Sequence, residues 1–175
     1  MEPEHTFAHQ LDVCFDDDVS AALDEDEFER LVNLVLSEEG VERPCMVSVS
    51  IVSDEHMHEL NLEWRDVDRP TDVLSLECER PDDPDLAPGE PCELGDLVLA
   101  PAYIERQAAD FGTTPADETR LLTIHGLLHL LGYDHLDDDE AEVMEAREDE
   151  LLAFAATDEP ISRVTLTRHR GGDDA

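Results

Sequence analysis

Residues 121–135 read LLTIHGLLHLLGYDH, and the rest of the chain is organised around them. His125 and His129 are four apart, so a helix sets both imidazoles on one face, about one turn from each other. Leu121, Leu122, Ile124, Leu127, Leu128, Leu130 and Leu131 surround them, and a helix that is apolar nearly all round is a buried one. Imidazoles on such a helix need polar partners, because an unsatisfied buried polar group costs a few kcal/mol. Gly132 tolerates the positive φ at which a helix of this kind ends, and the turn that follows lets His135 fold back toward the other two. Three nitrogens spaced His-x3-His-x5-His form a plausible metal site. A catalytic zinc keeps three protein ligands and a water, whereas a closed structural site takes four. Imidazoles serve Zn, Ni or Cu, so the spacing leaves the metal open.

Working outward, Thr114 and Pro115 are the N-cap and first-turn residues of this helix, with Asp117 three after the cap. Before it, Pro101 opens a helix that runs to about Phe111 and stops at Gly112. Residues 94–100 (LGDLVLA) and 73–77 read as strands joined by a long Pro-rich loop, and could pair antiparallel. Residues 46–52 (MVSVSIV) are β-branched and alternating, a further strand, and Leu11, Val13 and Phe15 alternate in a short first one. Phe28, Leu31, Val32 and Val35 keep helical spacing over about 25–38. Ser53 caps a helix that turns Met57 and Leu60 inward and is expected to end near Asn61, with a loop beyond it. His56 and His58, two apart, point in different directions and read as surface residues. After His135, Asp137 to Glu140 cap another helix, to which Met144, Leu151, Leu152 and Phe154 give a buried side up to about Ala155. Residues 1–9 and 156–175 are expected to be loose tails. The result is one α/β (α+β) domain spanning 1–175. A small mixed sheet of four strands packs with about five helices, and the His-bearing helix lines a cleft.

There is no apolar run near 18 residues, so no membrane span is expected, and the polar, acidic N-terminus does not read as a signal peptide. Cys14, Cys45, Cys78 and Cys92 form no C-x-x-C pair and read as reduced, mostly structural thiols of a cytoplasm. The charge is extreme: 47 acidic residues against 11 basic ones, all arginine, give a net charge of −36. Such self-repulsion opposes folding in dilute salt, while at molar salt the Debye length shrinks to about 3 Å. We therefore expect a high-salt cytoplasm, and loss of structure on dialysis into low salt. A cooperative thermal transition that is unchanged without salt would exclude this. An acidic surface also disfavours ordinary nucleic-acid binding, which rests on neutralising phosphate, so a few placed arginines and a metal would have to do the recognition.

Two stretches carry a resemblance. HGLLHLLGYDH (125–135) is similar to the signature of the YbeY family, bacterial single-strand-specific endoribonucleases of ribosomal RNA maturation. LNLEWRDVDRPTDVLS (60–75) resembles that family's second motif, with Trp64 where Tyr is commoner and Leu76, just beyond, where Phe is common. The resemblance covers roughly residues 46–154. It implies that His125, His129 and His135 bind one zinc ion and that Arg65 is a functional residue near the metal. It implies cleavage of single-stranded RNA, in processing of the 16S ribosomal RNA 3′ end and in ribosome quality control. It implies the ribosome or its proteins as further partners, and neither DNA nor a membrane is expected as one.

The residues themselves suit that chemistry. Three neutral imidazoles leave a divalent ion its charge, which drops the pKa of a coordinated water toward about 7. Arg65 keeps its charge at any working pH and can grip phosphate oxygens bidentately. Asp72 reads as a structural residue of the site loop. Two other readings remain open at this stage. A zinc peptidase of the H-E-x-x-H kind needs its general base directly after the first histidine, and that position is Gly126. A non-catalytic ribosome-assembly factor would use the metal to hold its fold, but no fourth ligand is evident.

Overall fold

A computed structural model describes residues 9–134 and 137–156. The expected tails at 1–8 and 157–175, and the third candidate ligand His135, lie outside these. His9 does not belong to a loose tail, since its Nδ1 accepts a hydrogen bond from the Cys45 amide at 3.0 Å.

The elements run β1 (Gln10–Phe15), α1 (Glu25–Glu38), β2 (Cys45–Ile51), α2 (Asp54–Arg65), β3 (Val73–Glu77), β4 (Cys92–Leu99), α3 (Pro101–Phe111), α4 (Pro115–Leu130) and α5 (Asp138–Ala155). The four strands form one mixed sheet in the order β1-β2-β4-β3. β1 and β4 flank β2 in parallel, and β3 closes the sheet antiparallel to β4. Strict alternation in β2 sends Cys45, Val47, Val49 and Ile51 into the main core. That core is filled by Phe28, Leu31, Val35 and Leu36 of α1 and by the apolar residues of α4. A smaller cluster on the other side gathers Val52, Met57, Leu74, Val98 and Ala100.

Helix α4 is the hub and touches α1, α3, α5, β3 and β4, which is why it is apolar all round. Its cap forms as the sequence suggests, with Thr114 Oγ1 accepting from the Asp117 amide at 3.1 Å. It closes at Leu131 and Gly132, whose φ is +111°. β4 carries a bulge that skips Leu94 between the pairs Met46–Glu93 and Val47–Gly95. Gly95 follows it at φ +145°, where a Cβ would stand 2.3 Å from the Leu76 carbonyl oxygen. Only glycine fits there.

Several expectations need correction. Helix α2 does not end near Asn61. It runs to Arg65 and stops at Asp66, which adopts the left-handed conformation (φ 60°). No residue between 61 and 65 breaks a helix, and the first strong stop is that left-handed residue. Strand β4 begins at Cys92, inside the loop expected to be irregular. Phe154 is 55% exposed, because the inner face of α5 runs through Ala141, Met144, Glu148, Leu151, Leu152 and Ala155 and leaves position 154 to one side. Cys45 and Cys92 are buried partners on adjacent strands, but Cys14 and Cys78 are exposed, so only two of the four thiols are core residues. Burial and the neighbouring Cys45 push the Cys92 thiol up to about 12, so it stays protonated at neutral pH.

Glu27 ties three helices together. It accepts from Arg30 at 2.8 and 2.9 Å and from Arg120 of α4 at 2.8 Å, while Arg30 reaches the Ala155 carbonyl at the end of α5. The Arg30 hydrogen bonds, helped by Arg120 and opposed by burial, hold the Glu27 carboxyl down at about 2 against an ordinary 4.5. The folded-state value is the lower one, so this stabilisation is complete above pH 4.5 and is lost as pH falls toward 2. Glu27→Gln should therefore lower unfolding free energy by about 2 kcal/mol at pH 7, allowing for partial exposure. The gap to wild type should narrow below pH 4.5 when denaturant unfolding is compared across pH.

Candidate functional site

His125 and His129 stand on the face of α4 turned toward β3, with ring centroids 4.7 Å apart and planes nearly perpendicular, at 82°. His125 is buried and His129 half-buried. Each ring is held through Nδ1. Glu148 Oε2 of α5 lies 2.5 Å from His125 Nδ1, and the Tyr133 carbonyl oxygen lies 3.0 Å from His129 Nδ1. A carboxylate and a carbonyl accept, so both Nδ1 atoms carry a proton, and in the neutral imidazole the lone pair is then on Nε2. Nε2 of His125 is buried and makes no hydrogen bond among the described residues. The turn after α4 is anchored by Tyr133, whose hydroxyl donates to Glu39 at 2.9 Å, and Arg147 of α5 donates to the same carboxylate at 2.5 Å. Burial, followed by the Glu39 carboxylate, raises the Tyr133 pKa and keeps its hydroxyl a donor.

The two histidines open into a cleft of about 130 Å³ whose lining also includes Arg65, Ser75 and Glu77. Larger hollows of about 460 and 560 Å³ lie elsewhere and contain no histidine. Arg65 reaches the cleft from the last turn of α2, not from a loop. Its Nη1 lies 3.5 Å from Oδ1 of the buried Asn61, whose Nδ2 donates to the Arg69 carbonyl at 2.8 Å. Among the described residues Arg65 forms no ion pair, although Arg30, Arg80, Arg106, Arg120 and Arg147 all do. In a chain with 47 acidic residues, a cation left without a carboxylate beside a cleft is available to an anionic ligand.

Helix α4 can approach the sheet this closely because of Gly126. A Cβ there would meet Leu97 Cδ2 at 2.6 Å and Ser75 Oγ at 3.1 Å, and the Ser75 hydroxyl donates to the Gly126 carbonyl at 3.4 Å. The position that holds the general base of an H-E-x-x-H peptidase is thus packed against β3 and β4.

A family model described as Endoribonuclease YbeY matches residues 14–156. The chain belongs to the YbeY endoribonuclease family. One YbeY relative, from Chloroflexus aurantiacus, is 39% identical over 148 residues, covering 83% of this chain and 95% of that one. Another, from Paramagnetospirillum magneticum, is 45% identical over 114 residues, covering 65% and 70%. The solution structure of TM1509 from Thermotoga maritima matches the fold at a TM-score of 0.53 and 23% identity, covering 88% of this chain and all of that one.

Within this YbeY fold the expected site residues fare unequally. His125, His129 and Arg65 come together. His135 lies outside the described residues, and among those described no three His, Cys, Asp or Glu side chains gather as a metal-binding set. The two imidazoles present suit a metal nonetheless, since their Nδ1 atoms are anchored and their Nε2 atoms are the nitrogens that would coordinate one. Asp72 is structural as expected. It is buried and accepts from the Val73 amide at 2.7 Å and from the Gln107 amide at 2.9 Å. His56 and His58 pair with Asp16 and Asp68 at the surface. Asp137 caps α5, its Oδ1 accepting from the Glu140 amide at 2.8 Å. Sequence reasoning overlooked Glu148 and Asn61. The signal for Glu148 was present, as a lone carboxylate between Met144 and Leu151 on an otherwise apolar helical face.

Proposed function

We propose that this chain is a zinc-dependent endoribonuclease that cuts single-stranded RNA in the cleft between α4 and the end of α2, acting in maturation of the 16S ribosomal RNA 3′ end and in ribosome quality control. The carrying observation is the shared cleft, where two imidazoles with anchored Nδ1 atoms face an arginine that has no carboxylate partner among the described residues. One zinc ion would be held by Nε2 of His125, Nε2 of His129 and the His135 imidazole. When bound, it supplies Lewis-acid chemistry at phosphorus. Arg65 binds the non-bridging phosphate oxygens and stabilises the charge that grows on them. Asn61 orients the guanidinium, and Glu148 and Tyr133 hold the rings. Trp64, next to Arg65 and 58% exposed, offers an aromatic face on which an unpaired base can stack, a contact that persists in high salt where phosphate attraction fades. The partners are ribosomal RNA and proteins of the ribosome, in a high-salt cytoplasm suited to the net charge of −36.

The direct test uses an end-labelled RNA in high-potassium buffer, presented as a single strand or within a duplex. The single strand should be cut and the duplex spared, and a chelator should stop the reaction. If both forms survive, a non-catalytic assembly role becomes the better account.

A further inference from the structure

Glu148 is a carboxylate on the inner face of α5, only 2% exposed, where the neighbouring inward positions are Ala141, Met144, Leu151, Leu152 and Ala155. Packing does not explain it. Burying a carboxylate carries a desolvation penalty that a leucine or methionine in the same space would avoid. Its oxygen instead lies 2.5 Å from Nδ1 of His125, the ring whose Nε2 belongs to the cleft. His129 is held differently, by the neutral carbonyl of Tyr133 at 3.0 Å. A charged acceptor binds an N–H more strongly than a carbonyl does, and pushes more electron density onto the opposite nitrogen.

We propose that Glu148 is the positioning residue of the metal site. It fixes His125 as the Nδ1-protonated tautomer, stops the ring from turning, and makes Nε2 of His125 the stronger of the two donors on α4. α5 thereby becomes a working part of the site although it contributes none of the expected ligands. The inference rests on the metal reading given above, and the test keeps the two separable.

Zinc affinity is measured on the full-length, metal-free chain in high-potassium buffer, by competition with a chromophoric chelator. Wild type, Glu148→Gln, Glu148→Met and His129→Ala are compared, and the melting of each apoprotein is recorded. Wild type should bind one zinc. Glu148→Met, which leaves Nδ1–H without its acceptor, should bind 10- to 100-fold more weakly while its apoprotein still melts cooperatively. Glu148→Gln keeps an acceptor oxygen and should recover part of the loss, remaining about tenfold below wild type. Wild-type affinity in both Glu148 variants, with only their melting changed, would overturn the proposal and leave Glu148 a fold residue. If the Met variant does not melt cooperatively, the Gln variant decides by the same criterion. If wild type binds zinc no better than His129→Ala, the metal reading itself fails, and the proposal with it.

Discussion

Arg65→Ala should slow RNA cleavage by a factor of 10² to 10³ while leaving zinc affinity and thermal melting at wild-type values. The guanidinium lines the cleft with the two histidines, sits in the last turn of α2 and forms no ion pair among the described residues. Its removal breaks no salt bridge there, so the folded state loses little. On the proposed reading what disappears is the charge that would meet the phosphate, and one such preorganised group is typically worth about 3–4 kcal/mol in the transition state. Arg65→Lys should recover only part of the rate, since an ammonium offers a point charge in place of a planar fork. Single-turnover cleavage, with RNA affinity measured separately, distinguishes this from a binding defect. A drop confined to affinity, with the rate of the bound complex unchanged, would make Arg65 a docking residue.

The second large effect concerns position 126. Gly126→Glu should abolish folding, and Gly126→Ala should lower the melting temperature by no more than a few degrees. Alanine adds one methyl group, which must displace Leu97 Cδ2 from 2.6 Å and crowd Ser75 Oγ at 3.1 Å. Overpacking of this size costs about 1–3 kcal/mol, and the better helix propensity of alanine returns about 1 kcal/mol. Glutamate would force an unpaired carboxylate between α4 and β3–β4, a cost of several kcal/mol against a total stability of roughly 5–15 kcal/mol. Circular dichroism in high salt reads both variants. A folded Gly126→Glu protein would show that α4 can lift from the sheet, and would reopen the peptidase-like alternative that this packing argues against.

Residue order alone revealed α4, its Thr114 cap, its Gly132 exit and the placement of two histidines on one face. All of these are local, set by spacing, capping chemistry and apolar content. The bounds of α1, α3 and α5 were legible for the same reason. The end of α2 was not. The stretch from Asn61 to Arg65 contains no glycine or proline, and the stop is made by an aspartate in a conformation that only the folded chain imposes. The arginine that lines the cleft was therefore expected on a loop, and it stands instead on the last turn of a helix. Glu148 was missed because a carboxylate on a helix in so acidic a chain reads as one more surface charge, and only the packing of α5 on α4 places it against His125. Phe154 shows the converse error, an aromatic assigned to the core by its chemistry when Ala155 holds the inward position. Pairing across the sheet, with β3 antiparallel at its edge, was partly legible from the two strands flanking the Pro-rich loop. The β4 bulge that makes Gly95 indispensable was not, because it depends on register with β2.

The most direct test of the account compares wild type with His129→Ala, purified in parallel, on an end-labelled single-stranded RNA in high-potassium buffer. His129 is half-buried, and its Nδ1 is held by a backbone carbonyl, so the variant should keep its fold. The account predicts cleavage by wild type, its loss on chelation, and none by His129→Ala. Equal cleavage by both proteins would contradict it, because the activity would then not reside in the α4 cleft.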